Sequence, residues 1–449
     1  VSTPSGRPSE HTPAARTPGT EDVLAAAGPQ DAGPGRAIRV PGTPGRPGRS
    51  PWNRRRDRFV AAALALVCVA GGAVLWLVSD SRATTQRTTT DPPARLEPPS
   101  AVPGSLAERW RAPSEATDGP VAVGGSAVTA SDGTVAGRDP MTGEIRWSYS
   151  RDLALCATDG AWSKVVAVYR KGEWCGEVTQ LDPATGARTA QRNGDAEAPT
   201  TLVVGEDHVT TTGTRLLNTW RSDLVKTLEY GRVPAPVNPG RQPRPECRYS
   251  TVAAGSGLVA VIEHCPRETG ARLTVLRAAG DEADEPEQVF SSLLPEMSAQ
   301  VVAVSDERVA VALPERRQLY VFDHDGRRQA THDLAVPEPE LAAVPESGVA
   351  ATAAGRDSVF WFTGSRTVAL TGDDLRPRWT VEDTLGAGTA FAGEYVVPIA
   401  GGLAVLDERT GETTRTVAVD RGGSRAPVSL SAAGPVLLEQ RGATVVALR

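Results

Sequence analysis

Few groups in this 449-residue chain are both reactive and spaced for reaction. A Cys/His metal site needs ligands at short repeated spacings so that they converge on one ion. No Cys-x-x-Cys occurs, and the five His, among them His208, His264 and His332, do not cluster. Asp323-His324-Asp325-Gly326 resembles the start of a calcium loop, yet the twelfth position counted from Asp323 is Leu334, which cannot supply the bidentate carboxylate. A hairpin turn is the better reading there. Ser256, in Gly255-Ser256-Gly257, lacks both the Gly-x-Ser-x-Gly spacing and a nearby base, and neither a Walker loop nor a dinucleotide fingerprint is present. No catalytic, metal or cofactor-binding residue is assigned, and the chain is not expected to be an enzyme. The remaining reactive groups are cysteines: Cys156 and Cys175, 19 residues apart, Cys247 and Cys265, 18 apart, and Cys68. Four cysteines permit three pairings, and whether they pair depends on the compartment.

The compartment is indicated by residues 59 to 79, an uncharged run of 21 that follows Arg54, Arg55, Arg56 and Arg58. Roughly 20 apolar residues in a helix match a ~30 Å hydrocarbon layer, and the basic flank stays in the cytoplasm. A single-pass plasma-membrane protein is expected, with residues 80 to 449 outside the cell. A cleaved signal peptide fits less well, because the leading segment is long and Ser81-Arg82-Ala83 is a poor cleavage site. Cys68 lies mid-span, so it is no lipid-attachment site.

Residues 1 to 58 carry ten Arg against five acidic residues. The tail is thus +5, and a chain that is −6 overall leaves −11 for residues 80 to 449. An outer domain this acidic does not suit nucleic acid. The tail is rich in Pro, Gly, Ser and Thr, too poor in large apolar residues to order itself, and is read as a disordered basic cytoplasmic segment. Its Thr-Pro dipeptides at Thr3, Thr12, Thr17 and Thr43 are possible kinase acceptors, although a solvated tail near anionic headgroups is the simpler reading. Residues 80 to 104, Thr-rich and then Pro-rich, read as an extended extracytoplasmic linker whose consequence is reach.

From residue 105 the pattern becomes short β-rich runs separated by Gly, Asp and Pro turns, repeating about every 40 residues. The clearest unit is 121–149, with the turn Asp139-Pro140-Met141-Thr142-Gly143 and then Trp147. The turn recurs with Asp182, Thr185 and Gly186, and again with Asp407, Thr410 and Gly411; weaker units cover 320–334 and 368–381, the latter with Trp379. Asp accepts backbone N–H bonds and Gly supplies positive φ, so each turn closes two strands. Fourth strands align near Trp110, Trp147, Arg188, Leu228, Val289, Thr331, Trp379 and Thr416. The last segment, 427–449, has three strands, and the missing fourth lies around Trp110. Sharing one blade between the ends closes the ring without a free edge. The expected fold is all-β, an eight-bladed β-propeller over 105–449, with seven blades as the alternative, preceded by one transmembrane helix and the tail.

These units resemble the PQQ-like repeat β-propellers, whose pattern is Asp-x-x-Thr-Gly followed by an aromatic, commonly Trp. Three units match the turn, and Trp147 and Trp379 match the aromatic, across about 345 residues. The resemblance implies the propeller fold. The family holds quinoprotein dehydrogenases and also scaffolds such as the BamB-type component of outer-membrane barrel assembly, and tail, span and propeller together look like actinobacterial membrane proteins. A quinone enzyme of this kind needs a calcium site and commonly an adjacent-cysteine disulfide, and no Cys-Cys dipeptide exists here. The Trp residues read as inter-blade anchors. Within the blades, Cys156 with Cys175 and Cys247 with Cys265 can each staple neighbouring strands. Two insertions, 231–246 and 280–288, break the repeat and would meet a protein or polymer if they bind at all. The expected function is a monomeric, membrane-anchored binding scaffold for an envelope protein or polymer, with no cofactor.

Overall fold

The computed structural model describes residues 55–77, 79 and 82–449, so the tail up to residue 54 lies outside the described residues. The chain divides after Gly71 into two units. Helix α1 (Arg55–Leu77) has 23 residues and no buried side chain, and it is long and apolar enough to cross a membrane. It begins four residues before the apolar run because Arg is a good helix former and nothing in Arg55-Arg56-Asp57-Arg58 stops propagation.

Residues 84–449 build eight antiparallel sheets. Blades 1 to 7 occupy 121–151, 155–196, 202–231, 248–293, 300–333, 351–382 and 389–418, and blade 8 combines 428–448 with Glu108–Pro113. That N-terminal strand pairs with Thr444–Leu448 through Trp110↔Ala447 and Arg111↔Val446. Ala107 and Arg449 exchange backbone hydrogen bonds at 3.1 and 2.9 Å. The ring is therefore closed by the chain's own ends, with eight blades rather than seven.

Within a blade, burial is greatest in the middle strands and falls toward the outer one. The second strand of blade 5, Val309–Leu313, is buried at every position, because its two faces meet two neighbouring blades. The fourth strand, Arg328–Asp333, is largely exposed. Eight apolar clusters result, one per interface: Trp147 and Tyr149 meet Val165 and Tyr169 between blades 1 and 2, for example.

Two expectations are corrected. Residues 84–106 are a strap on the propeller rather than a free stalk. Thr84–Arg87 adds a fifth strand to blade 1, with Thr85↔Ser150 and Gln86↔Tyr149 in register. Thr89 N–H donates to Thr185 O on blade 2 at 3.0 Å, and a Cβ on Gly434 of blade 8 would stand 2.4 Å from Leu96 Cβ. Val102 and Leu106 end buried between blades 7 and 8, where Val102 N–H donates to Glu394 at 2.9 Å. Thr/Pro composition carries no sign that blade edges would pair with this segment.

The two insertions also have an occupant, each other. Asn238 N–H donates to Asp284 Oδ2 at 2.7 Å, Arg241 pairs with Glu285 at 3.0 Å, and Glu229 N–H in the outer strand of blade 3 donates to Ala283 O. The Pro/Arg-rich loop and the acidic tip together cover that strand's edge, where an unpaired ladder would invite aggregation.

Candidate functional site

The Asp-x-x-Thr-Gly turns prove to be sockets. Asp139 Oδ1 accepts the N–H groups of Met141 and Thr142 at 2.8 and 3.1 Å, and Asp182 and Asp407 repeat the pattern with the next two and three residues. The Gly that follows has φ near +75° in all three and lies flat beneath a Trp of the preceding blade. A Cβ on Gly143 would come within 2.6 Å of Trp110, on Gly186 within 2.6 Å of Trp147, and on Gly411 within 2.5 Å of Trp379. Each indole N–H donates to a carbonyl of the same turn, Pro140, Pro183 or Glu408. Thr142, Thr185 and Thr410 accept the N–H two residues on, which fixes the exit from the turn.

The cysteines join as Cys156–Cys175 and Cys247–Cys265. The second bridge closes the end of a hairpin, since Cys247 precedes Arg248–Gly255, Cys265 follows Leu258–His264, and Arg248 pairs with His264. The first does not join neighbouring strands as expected: Cys156 lies on the first strand of blade 2, Leu155–Ala161, and Cys175 on the third, Trp174–Leu181. Irregular pairing beside both cysteines, between Leu155 and Ala157 and between Tyr169 and Lys171, draws the first and third strands together there. Both bridges lie on chain-continuous blades and are structural. Cys68 is the free cysteine among the described residues.

Ser256, Asp306 and His324 do come together, on the turns of blades 4 and 5. The hydroxyl donates to the Asp306 carboxylate, while His324 Nε2 meets the Asp306 backbone carbonyl. A carboxylate rather than an imidazole receives the hydroxyl proton, which is the wrong order for a nucleophile–base pair. Asp323 Oδ1 accepts from Asp325 and Arg327 N–H at 2.9 Å, as a hairpin turn requires. Burial lowers the pKa of His208, His264 and His332. Among the described residues no group of three or more His, Cys, Asp or Glu could hold a metal ion.

One feature of the axis escaped the sequence. Asp159, on the innermost strand of blade 2, lines a 350 Å³ cavity with residues from the inner strands of blades 1, 3 and 8. Solvent reaches part of it, yet protein surrounds it, so burial pushes its carboxyl up to about 6, helped by nearby Asp118 and opposed by the Gly160 N–H. Asp118 is likewise raised by burial although its surface faces open space, because the channel wall displaces bulk water from around it. A charged residue at an inner-strand position was the available signal.

A second site lies on the side wall. At three interfaces the anchoring Trp sits opposite a small residue on its own blade's third strand: Trp147 opposite Gly137, Trp379 opposite Ala369, Trp110 opposite Ala447. In blade 4 the corresponding residue is Val275, and its partner is Phe290, which covers Gly326 of blade 5 with a Cβ distance of 2.8 Å. A 610 Å³ groove opens on the wall at this interface. Leu293 (51% exposed), Tyr320, Phe322, Arg316 and Arg328 line it, and no acidic residue does. Arg328 stacks its guanidinium 4.4 Å over the Tyr320 ring. Sequence alignment centred this strand on Val289, one residue from the ring that docks.

No protein-family model matches the chain, and no curated protein matches it by sequence. Among solved structures, BamB from Moraxella catarrhalis is similar at TM-score 0.46 and 16% identity over 77% of this chain and 97% of that one. Sqt1 from Saccharomyces cerevisiae is similar at TM-score 0.47 and 10% identity over 77% of this chain and 99% of that one. The dihydro-heme d1 dehydrogenase NirN in complex with DHE is similar at TM-score 0.46 and 15% identity over 80% of this chain and 73% of that one.

Proposed function

We propose that this protein is a membrane-anchored, extracytoplasmic propeller that binds an envelope protein or polymer as a scaffold in envelope assembly or sensing. The observation that carries the binding role is the side-wall groove: apolar and basic, on a domain that is −11 over residues 80–449 in a chain of −6 overall. Leu293, exposed beside Arg328, gives this surface an apolar group and a cation for a partner to meet. Two disulfides support an oxidising compartment, and α1 with its Arg flank supports a membrane anchor.

In-cell crosslinking from the outer domain, followed by mass spectrometry, tests this. A reproducible envelope partner is expected, and its absence would count heavily against the scaffold. Labelling of an introduced outer-domain cysteine by an impermeant reagent in intact cells tests the topology. A second reading, an enzyme working at the axis, is favoured by Asp118 and Asp159 in the channel. Purified protein that binds calcium or quinone, and loses that binding in Asp159→Asn, would establish it.

A further inference from the structure

The groove between blades 4 and 5 has the chemistry of one kind of occupant, and we infer that it holds an extended acidic peptide segment with an apolar side chain between its carboxylates. The inference deepens the scaffold reading and rests on it.

Charge selects the occupant. The groove's two cations lie toward its two ends: Arg316 precedes the strand Gln318–Phe322, while Arg328 pairs with Phe322 at the far end of that strand and turns back over Tyr320. At about 3.4 Å per residue, the two guanidinium groups are matched by carboxylates roughly four to six residues apart on an extended chain. Arg328 makes no ion pair among the described residues, and stacking on Tyr320 holds its plane so that the N–H edge is presented to a carboxylate. Arg316 is only loosely engaged, its Nε 4.0 Å from Glu296 Oε2. A basic segment would meet Arg328 with no counter-charge and Arg316 with only a loose one, and a neutral segment would leave Arg328 unpaired.

Shape selects the middle residue. Where the other anchored interfaces hold an indole, this one holds the smaller Phe290, with Phe322 and Tyr320 behind it and Leu293 beside the opening. A Phe or Leu from the peptide would lie in the groove beside Leu293. The chain itself shows that a blade wall accepts an extended segment, since Thr84–Arg87 adds to the outer strand of blade 1. Among the described residues no fifth strand pairs with the outer strand of blade 4, Gln288–Leu293.

The test uses the full chain in detergent and a fluorescent seven-residue peptide with Glu at both ends, Phe at the centre and Ser elsewhere, read by anisotropy. Saturable binding is expected, weakened at least 10-fold by Lys in place of both Glu, by Ser in place of Phe, and by the double change Leu293→Glu with Arg328→Glu. Both altered residues are surface-exposed, so the variant's thermal melt should match the parent. Arg328→Lys should give an intermediate loss, because an ammonium cannot lie flat on Tyr320 and offer two N–H groups. Equal binding of acidic and basic peptides, or binding indifferent to the double change, overturns the inference. Crosslinking separates the two readings: partners recovered unchanged by the double variant remove the groove but leave the scaffold, whereas no partner for the parent chain removes the scaffold itself.

Discussion

If Trp docking on the glycine sockets holds the blades together, alanine at a socket must cost far more than alanine at an equally left-handed glycine with nothing above it. Gly186 and Gly393 form the matched pair, with φ of +75° and +76°. A Cβ on Gly393 meets nothing within 4 Å, whereas on Gly186 it would stand 2.6 Å from Trp147 Cβ and 2.7 Å from its Cγ. The left-handed backbone costs an L-residue about 1–2 kcal/mol, and that cost is common to both. Only Gly186→Ala must also displace a fully buried indole by close to an ångström, which stretches the 2.7 Å bond from its N–H to Pro183 O. Overpacking of this kind costs about 1–3 kcal/mol and a weakened hydrogen bond about 1 more. Gly186→Ala should therefore fall below Gly393→Ala by ~2–4 kcal/mol in guanidinium unfolding at equal slope. Gly143→Ala and Gly411→Ala should follow Gly186→Ala. Equal losses at Gly186 and Gly393 would refute the socket argument, because backbone strain alone would then account for both.

Three further outcomes follow from buried groups. Arg421 and Glu439 pair at 2.6 Å with both side chains buried, and Arg421 also donates to the carbonyls of Ile399 and Gly402, while Arg441 holds the same carboxylate at 2.6 Å, so Arg421→Ala should cost about 2–3 kcal/mol by removing the buried pair and leaving Glu439 to Arg441 alone; a loss under about 1 kcal/mol in the same unfolding assay contradicts it. Asp159 has a folded pKa of about 6 against an ordinary 3.8, so the folded state holds the proton longer and stability falls as pH rises from about 4 to 6, then stays level. Asp159→Asn removes that fall, and its gain over the parent should be absent at pH 3.5 and reach at most about 3 kcal/mol at pH 7.5, as pH-dependent melts would reveal. Replacing Cys156 and Cys175 by Ser opens a loop of 19 residues, for an expected loss of about 3 kcal/mol in the chain-entropy account; unchanged melting of the double variant under oxidising conditions would show that the bridge constrains little.

The blade count was readable because the chain writes its fourth strands in side chains that need a specific neighbour. Trp147 and Trp379 announce a socket, and the residues aligned with them near 188, 228, 289, 331 and 416 all fall on fourth strands. What sequence left open lies where pairing depends on an edge supplied from elsewhere. Thr84–Arg87 has no pattern that says strand until the outer edge of Ile145–Arg151 is beside it. Loops 231–246 and 280–288 likewise look like free insertions, because the match of Asn238 and Arg241 to Asp284 and Glu285 joins segments over 40 residues apart. The docking ring at Phe290 was missed by one position, and in a strand one position changes the face.

The strap links these local devices to the ring as a whole. A propeller closed by its own ends is weakest at the blade that joins them, since no covalent turn connects Thr444–Leu448 to Glu108–Pro113. The segment leading into Glu108 crosses that seam from both sides: it pairs with blade 1, touches the turn of blade 8 at Gly434, and buries Val102 and Leu106 between blades 7 and 8. Arg415 clamps the far end by binding Glu394, which takes the Val102 N–H, while its own Nη2 donates to Val102 O. Loop closure becomes cheaper once its ends are already confined, so a docked strap delivers Trp110 to its place in blade 8 at a small entropic cost. The same residues that would have given the domain reach are thus used to hold it shut.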